Sequence, residues 1–363
     1  MVRWVGWLIR DVYRLRSRTP CLRQASTLLR YCDSAFRYRW SQVARRLLVA
    51  LASFLFIGVA FSADPLTLAV STVPHSLPVF VAQHEGYFAQ EIPQLKLIDC
   101  FPGRKCLDML LAGSVQFATV ADTPIVKSSF VRADFVVLAT IASSSNDIRA
   151  VGAKSAGITK LRDLIGKKIG LIKGSSADYF LDSVLLFDGI DPARVQKFDI
   201  PSDDIAESLR QHKIDAFVSF DPGLSKALSS LGDSVTVLAT PPIYLSTFNL
   251  VAARSMVGKN DADMVKIVRA LDRAQVFIKQ QPEAAQQILR QRLKMAPLNS
   301  KSLNMQMDYT LSLDQTFIKT LEGEARWLSE QKDKAGNRPA NYLDFIYLPP
   351  LLQVRPKAVT VVK

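Results

Sequence analysis

Histidine and cysteine are scarce in this chain, at three and four residues in 363. His75, His84 and His212 stand far apart, and neither they nor the cysteines fall at metal-ligand spacings. No metal and no cofactor is expected. A clustered acid–base pair is also lacking, which argues against general acid–base catalysis. No apolar run reaches the roughly 20 residues of a membrane-spanning helix. There is no repeat of solenoid period and no low-complexity segment. A nucleotide loop is missing as well. The stretch "IGLIKGSSADYFLD" (169–182) has the strand–glycine–helix form of one, but a Walker loop needs Lys and then Ser or Thr after its last glycine. Here Ser175 and Ser176 follow Gly174, and Lys173 precedes it. What remains is a helix N-terminus whose free N–H groups and two hydroxyls face something polar.

Lysine and glutamate are absent from residues 1–62, which hold eleven Arg against Asp11 and Asp33. That segment carries +9 of the net +13; the remaining 35 basic and 31 acidic residues leave only +4. The basicity is therefore N-terminal, and no nucleic-acid partner is implied. Arg45-Arg46 precedes "LLVALASFLFIGVAF", an apolar run of signal-peptide length, followed by small residues. Residues 1–62 are read as leader and signal peptide, cleaved after Ser62 or Ala63, with a start that is overextended if translation begins at Val43. The predicted location is periplasmic; the alternative is a membrane anchor left uncleaved, with the basic leader inside. Cys21 and Cys32 lie in the leader, leaving Cys100 and Cys106. In an oxidising compartment two cysteines this close form a disulfide; the alternative is a pair of buried thiols.

From Asp64 onward, strand and helix signals alternate. "LTLAVS", "LKLIDC", "VQFATV" and "FVVLATIA" read as strands, separated by helices over "VFVAQHEGYFAQE", "CLDMLLAG" and "TPIVKSSF". The pattern resets after residues 143–166. "KIGLI", "VQKFDI", "IDAFVSF" and "VTVLA" alternate with three further helices, and "IYLSTFNLVAARS" reads as a strand leading back. Residues 261–332 read as mostly helical, and the proline-broken end has no assigned role. The predicted fold class is α/β, in two lobes: residues 63–146 with 243–363, and residues 147–242. The chain crosses near 143–149 and 238–246. Ligands of such sheets sit outside the carboxyl ends of strands, so the polar turns there are expected to line a cleft that closes by a hinge.

Several of these segments resemble a known family. "LLAGSVQFATVADTPIV", "VFVAQHEGYFAQE", "LRDLIGKKIGLIKGSSADYFLDSVLLFDGIDPARVQ" and "ESLRQHKIDAFVSFDP" occur in the order found in the nitrate/sulfonate/taurine-type ABC transporter periplasmic substrate-binding proteins (NMT1/THI5-like). The similarity covers roughly 66–255. It implies a type II periplasmic-binding-protein fold, a small-molecule solute and an ABC permease partner in the membrane.

Candidate ligand contacts come from the turns. Ser175 and Ser176 offer hydroxyls at a helix start, although one serves as an ordinary N-cap. Asp122 and Thr123 precede Pro124, where capping is the competing role. His75 and Ser76 follow the first strand. Asn146 marks the crossing, where hinge chemistry explains it equally well. Asp221 contacts ligand or caps the next helix. Asp178 is read as dipole compensation and Arg104 as a surface residue; Tyr244 and Thr247 rank below the others. The acidic residues among these suit a zwitterion such as an aminosulfonate as well as an organic anion or nitrate. The expected protein is a monomeric solute-binding protein and not an enzyme. The alternatives are an enzyme on the same fold, desulfinase-like or related to pyrimidine-precursor synthesis, and a membrane-anchored sensor ectodomain.

Overall fold

Parallel strands covered on both faces need apolar side chains on both sides, and the strands of this chain supply them. The computed structural model describes residues 65–294, 306–330 and 341–362. The leader read over residues 1–62 lies outside them. β1 (Thr67–Ser71) buries Leu68, Ala69 and Val70. It leads through α1 (Leu77–His84) and α2 (Tyr87–Glu91) to β2 (Lys96–Cys100), α3 (Gly103–Leu111), β3 (Phe117–Ala121), α4 (Asp122–Ser129) and β4 (Phe135–Ser144). The chain then enters a second unit: β5 (Arg149–Ala153), β6 (Lys168–Leu171), α5 (Ser176–Phe187), β7 (Gln196–Asp199), α6 (Ile205–Arg210), β8 (Ala216–Ser219), α7 (Gly223–Leu231) and β9 (Val235–Val237). It returns as β10 (Ser246–Ala253), followed by α8 (Asp261–Gln280), α9 (Pro282–Leu293), α10 (Gln315–Glu330) and α11 (Pro349–Val354).

The strands form two five-stranded sheets, ordered β2-β1-β3-β10-β4 and β7-β6-β8-β5-β9. In the first, β1 runs parallel to β2 and β3, while β10 is antiparallel to β3 and β4. The second repeats the plan, with β5 antiparallel to β8 and β9. Each sheet thus receives one strand after a crossing. Alternation on β8 shows how the second sheet is covered: Ala216 and Val218 join one core, and Phe217 joins the core on the opposite face. Among the described residues, no helix is long and apolar enough to cross a membrane.

Four local readings are corrected. The single helix read over residues 79–91 breaks at Gly86, whose φ of 71° only glycine adopts freely. β5 was not read as a strand, because "RAVGA" is short and contains glycine. That glycine is required: a Cβ on Gly152 would come within 2.2 Å of the Ile158 side chain. The region read as mostly helical contains an extended piece that bridges β4 through Ser143–Asp308 and Thr140–Ser312. The proline-broken end also has a place, since Val359 bridges Leu313 and Arg355 pairs with Asp272 at 3.0 Å.

Cys100, ending β2, and Cys106, in α3, are joined by a disulfide, with Cα atoms 5.5 Å apart. It ties the second turn of the first sheet to its helix. Closing so short a loop is worth about 2 kcal/mol on the chain-entropy model. Replacing both cysteines by serine is expected to lower unfolding free energy by about that amount in denaturant titration; an unchanged midpoint would contradict it.

Candidate functional site

The turns at the strand ends of both sheets meet around a cavity of about 280 Å³. Ser71, Val73 and His75 come from the turn after β1, and Pro102, Gly103 and Arg104 from the start of α3. Ala121 and Pro124 flank the start of α4, and Asp147 and Ile148 lie on the first crossing. The second sheet contributes residues 172–176, Asp199 and Phe220, and β10 contributes Ser246, Thr247 and Phe248. Parallel strands deliver their helices N-terminus first, so α3, α4 and α5 all begin at this cavity. Their positive dipole ends favour an anion there. Val73, Ile148, Ile172, Phe220 and Phe248 make the rest of the wall apolar.

Asp122 lies beneath this wall and does not line it. It is fully buried. Its Oδ1 accepts from the Tyr244 hydroxyl (2.7 Å), the Ser176 hydroxyl (3.1 Å) and the Thr123 N–H (2.9 Å). Its Oδ2 accepts from the Thr247 N–H (2.8 Å) and hydroxyl (3.3 Å). Burial pushes this carboxyl up, and the donors oppose the shift. Tyr244 also meets Glu324 of α10, so one carboxylate connects both sheets, the second crossing and the C-terminal helices.

The two serines that stand out in the sequence spend their hydrogens inside the protein. Ser175 donates to the Ile172 carbonyl (2.7 Å) and accepts from the Ala177 N–H, capping α5. Ser176 donates to Asp122 and accepts from Thr123 at 3.1 Å. Both line the cavity, yet neither hydroxyl has a hydrogen left for an anion. Ser71 differs. Its hydroxyl is buried, lines the cavity and has no hydrogen-bond partner. An unsatisfied buried hydroxyl is costly and rare, so a ligand is its natural partner.

His75 lines the cavity with its Nε2 held 3.0 Å from Asp147 Oδ2, while Asp147 Oδ1 accepts from Ser246 at 2.8 Å. The imidazole packs 5.3 Å from Phe248. The remaining sequence candidates sit elsewhere. Ser76 is buried outside the lining. Thr123 points its hydroxyl at Ser176. Asn146 accepts from the Gln306 N–H at 2.8 Å and so faces the C-terminal segment. Asp221 gives both oxygens to Ser225 in the first turn of α7. Asp178, bonded to Gly174 N–H and paired with Lys197 at 2.7 Å, is turned to a cation and does not oppose an anion in the cavity. Sequence reasoning passed over Ser71, Asp147 and Glu324. The first two lie within turns it singled out, where only the backbone decides which neighbour faces inward. Glu324 left no local signal, being a helix-face acid like any other.

Asp122→Asn puts an amide donor against groups that already donate. It is expected to cost about 3 kcal/mol or more in unfolding free energy. A loss below about 1 kcal/mol in denaturant titration would contradict the node assigned to Asp122.

Comparison with known proteins bears on this geometry. A relative from Escherichia coli strain K12, named for binding aliphatic sulfonates, is 24% identical over 243 residues, covering 66% of this chain and 76% of its own. The alkanesulfonate-binding protein SsuA from Xanthomonas axonopodis pv. citri, solved bound to MOPS, superposes with a TM-score of 0.64 at 17% identity, over 80% of this chain and 100% of that one. An enzyme is also related: the 4-amino-5-hydroxymethyl-2-methylpyrimidine phosphate synthase of Legionella pneumophila is 22% identical over 223 residues, covering 60% of this chain and 70% of that protein. The two-sheet architecture is the periplasmic-binding-protein fold that the resemblance implied. The family model described as NMT1/THI5 like matches residues 73–285, and the chain belongs to that family.

Proposed function

We propose that the protein is an extracytoplasmic solute-binding protein of an ABC importer, which captures an organic sulfonate in the cavity and closes about its two crossings. The carrying observation is the buried, unpartnered hydroxyl of Ser71, which lines the cavity together with the starts of three helices and five apolar side chains. Donors and positive dipole ends suit an oxyanion. The apolar wall suits a hydrocarbon body, which nitrate lacks. The names of the sulfonate-binding relatives support the same ligand class, and the family resemblance implies a periplasmic place beside a membrane permease. Binding is favoured over catalysis because the cysteines and the two serines at the start of α5 are engaged, and His75 is held by Asp147. Cys100 and Cys106 are bonded to each other, and Ser175 and Ser176 donate to fixed acceptors.

Alkane- and arenesulfonates are expected to raise the melting temperature with the logarithm of ligand concentration above the Kd, because they bind the folded state alone. Nitrate should not. Ser71→Ala is expected to weaken sulfonate binding about tenfold in calorimetry, the loss of one hydrogen bond to a charged group. Absence of any shift across the sulfonate series would contradict the ligand class.

A further inference from the structure

One hydrogen sits on the Tyr244 hydroxyl, and two carboxyl oxygens contend for it. Asp122 Oδ1 lies at 2.7 Å and Glu324 Oε1 at 3.1 Å. The shorter contact takes the hydrogen. The longer one is then a hydrogen bond only if Glu324 carries a proton and donates to the tyrosine oxygen. Two further observations agree. Glu324 is fully buried, and its other oxygen, Oε2, has no hydrogen-bond partner; an ionised carboxylate could not be left so bare at small cost. Two carboxylates around one hydroxyl also cannot both ionise cheaply.

We propose that Glu324 is a proton-holding positioning residue of the cavity: its neutral carboxyl orders the Tyr244–Asp122–Ser176 chain and so fixes the wall on which a ligand rests. Glu324 donates to Tyr244, Tyr244 donates to Asp122, and Asp122 holds the hydroxyl of Ser176, which lines the cavity. Glu324 lies beyond residues 73–285, so the C-terminal helices bring this group to the family's cleft. The titratable groups around it are Asp122 from α4, Tyr179 from α5, Tyr244 from the second crossing and Tyr342 from the turn at Tyr342–Phe345. On its own helix, Arg326 acts on Tyr179 and Glu322 on Tyr342. Burial, and then the charge of Asp122, hold the Glu324 carboxyl well above the usual range. A carboxyl raised on folding contributes stability that is fully present below its ordinary range and is lost as pH rises through the folded value. Once ionised, Glu324 competes for the Tyr244 hydrogen and loosens the chain.

The test follows the backbone amide resonances of Ser176 and Thr247 in ligand-free protein from roughly pH 5 to 10. Wild type should show one common midpoint above the ordinary glutamate range, matched by a falling melting temperature. Glu324→Gln keeps a donor for Tyr244 but cannot ionise, so both amides should stay flat at that midpoint and the matching thermal transition should vanish. Glu324→Ala should displace both amides at every pH. The inference falls if wild-type amides do not titrate, or if Glu324→Gln titrates like wild type. A second arm rests on the proposed ligand class. Affinity for hexanesulfonate should fall by up to tenfold per pH unit above the midpoint in wild type, and should stay within about twofold in Glu324→Gln. If hexanesulfonate does not bind at all, the ligand class fails, and the amide titration still decides the role of Glu324.

Discussion

A carboxylate taken wholly out of water must be met by donors, and Asp122 collects its donors from both sheets and the second crossing. Tyr244 and Thr247 come from the second crossing and β10, Ser176 from the second sheet's α5, and Thr123 from its own helix. None of these partners can move far without uncovering the charge. Around that point the rings of Tyr179, Tyr244 and Trp327 meet edge on, and Trp327 donates to Asp182 of α5 at 2.8 Å. The C-terminal helix α10 is thereby fastened to both halves of the structure.

The division of labour at the cavity follows from this. The hydroxyls nearest Asp122 are consumed in holding it, and Ser71, the first turns of α3 and α5, and His75 held by Asp147 are among the other polar groups of the lining. A fold of this kind suits capture because its donors are already oriented when a solute arrives, so little ordering entropy is spent on binding. Enzymes and binding proteins share this scaffold, since function lives in the site and not in the sheets.

Much of the fold was legible in the sequence because β/α alternation is written in short apolar runs. β1, β3, β4, β6 and β8 bury nearly every residue, and such runs bounded by polar turns read plainly. β5 was hidden by a glycine that exists to admit Ile158, a long-range reason with no local trace. The site was legible only by turn. That the turns carrying His75, Asn146 and Ser175 would converge follows from where parallel strands end, but which side chain faces the cavity depends on contacts made from far along the chain. Ser176 looked like a donor until Asp122 claimed its hydrogen. Asn146 looked like a contact until Gln306 met it. Glu324 acquires meaning only through a tyrosine 80 residues away.

The proposed function requires that the cavity hold its guest by an oxyanion at Ser71 and by a hydrocarbon body against the apolar wall. A crystal structure of the protein with hexanesulfonate tests it most directly. A sulfonate oxygen within hydrogen-bond distance of Ser71 Oγ, with the chain packed on Phe220 and Phe248 and the Asp122 contacts retained, is the result the account predicts. Sulfonate bound outside the cavity, or inside it with Ser71 still unpartnered, would contradict it.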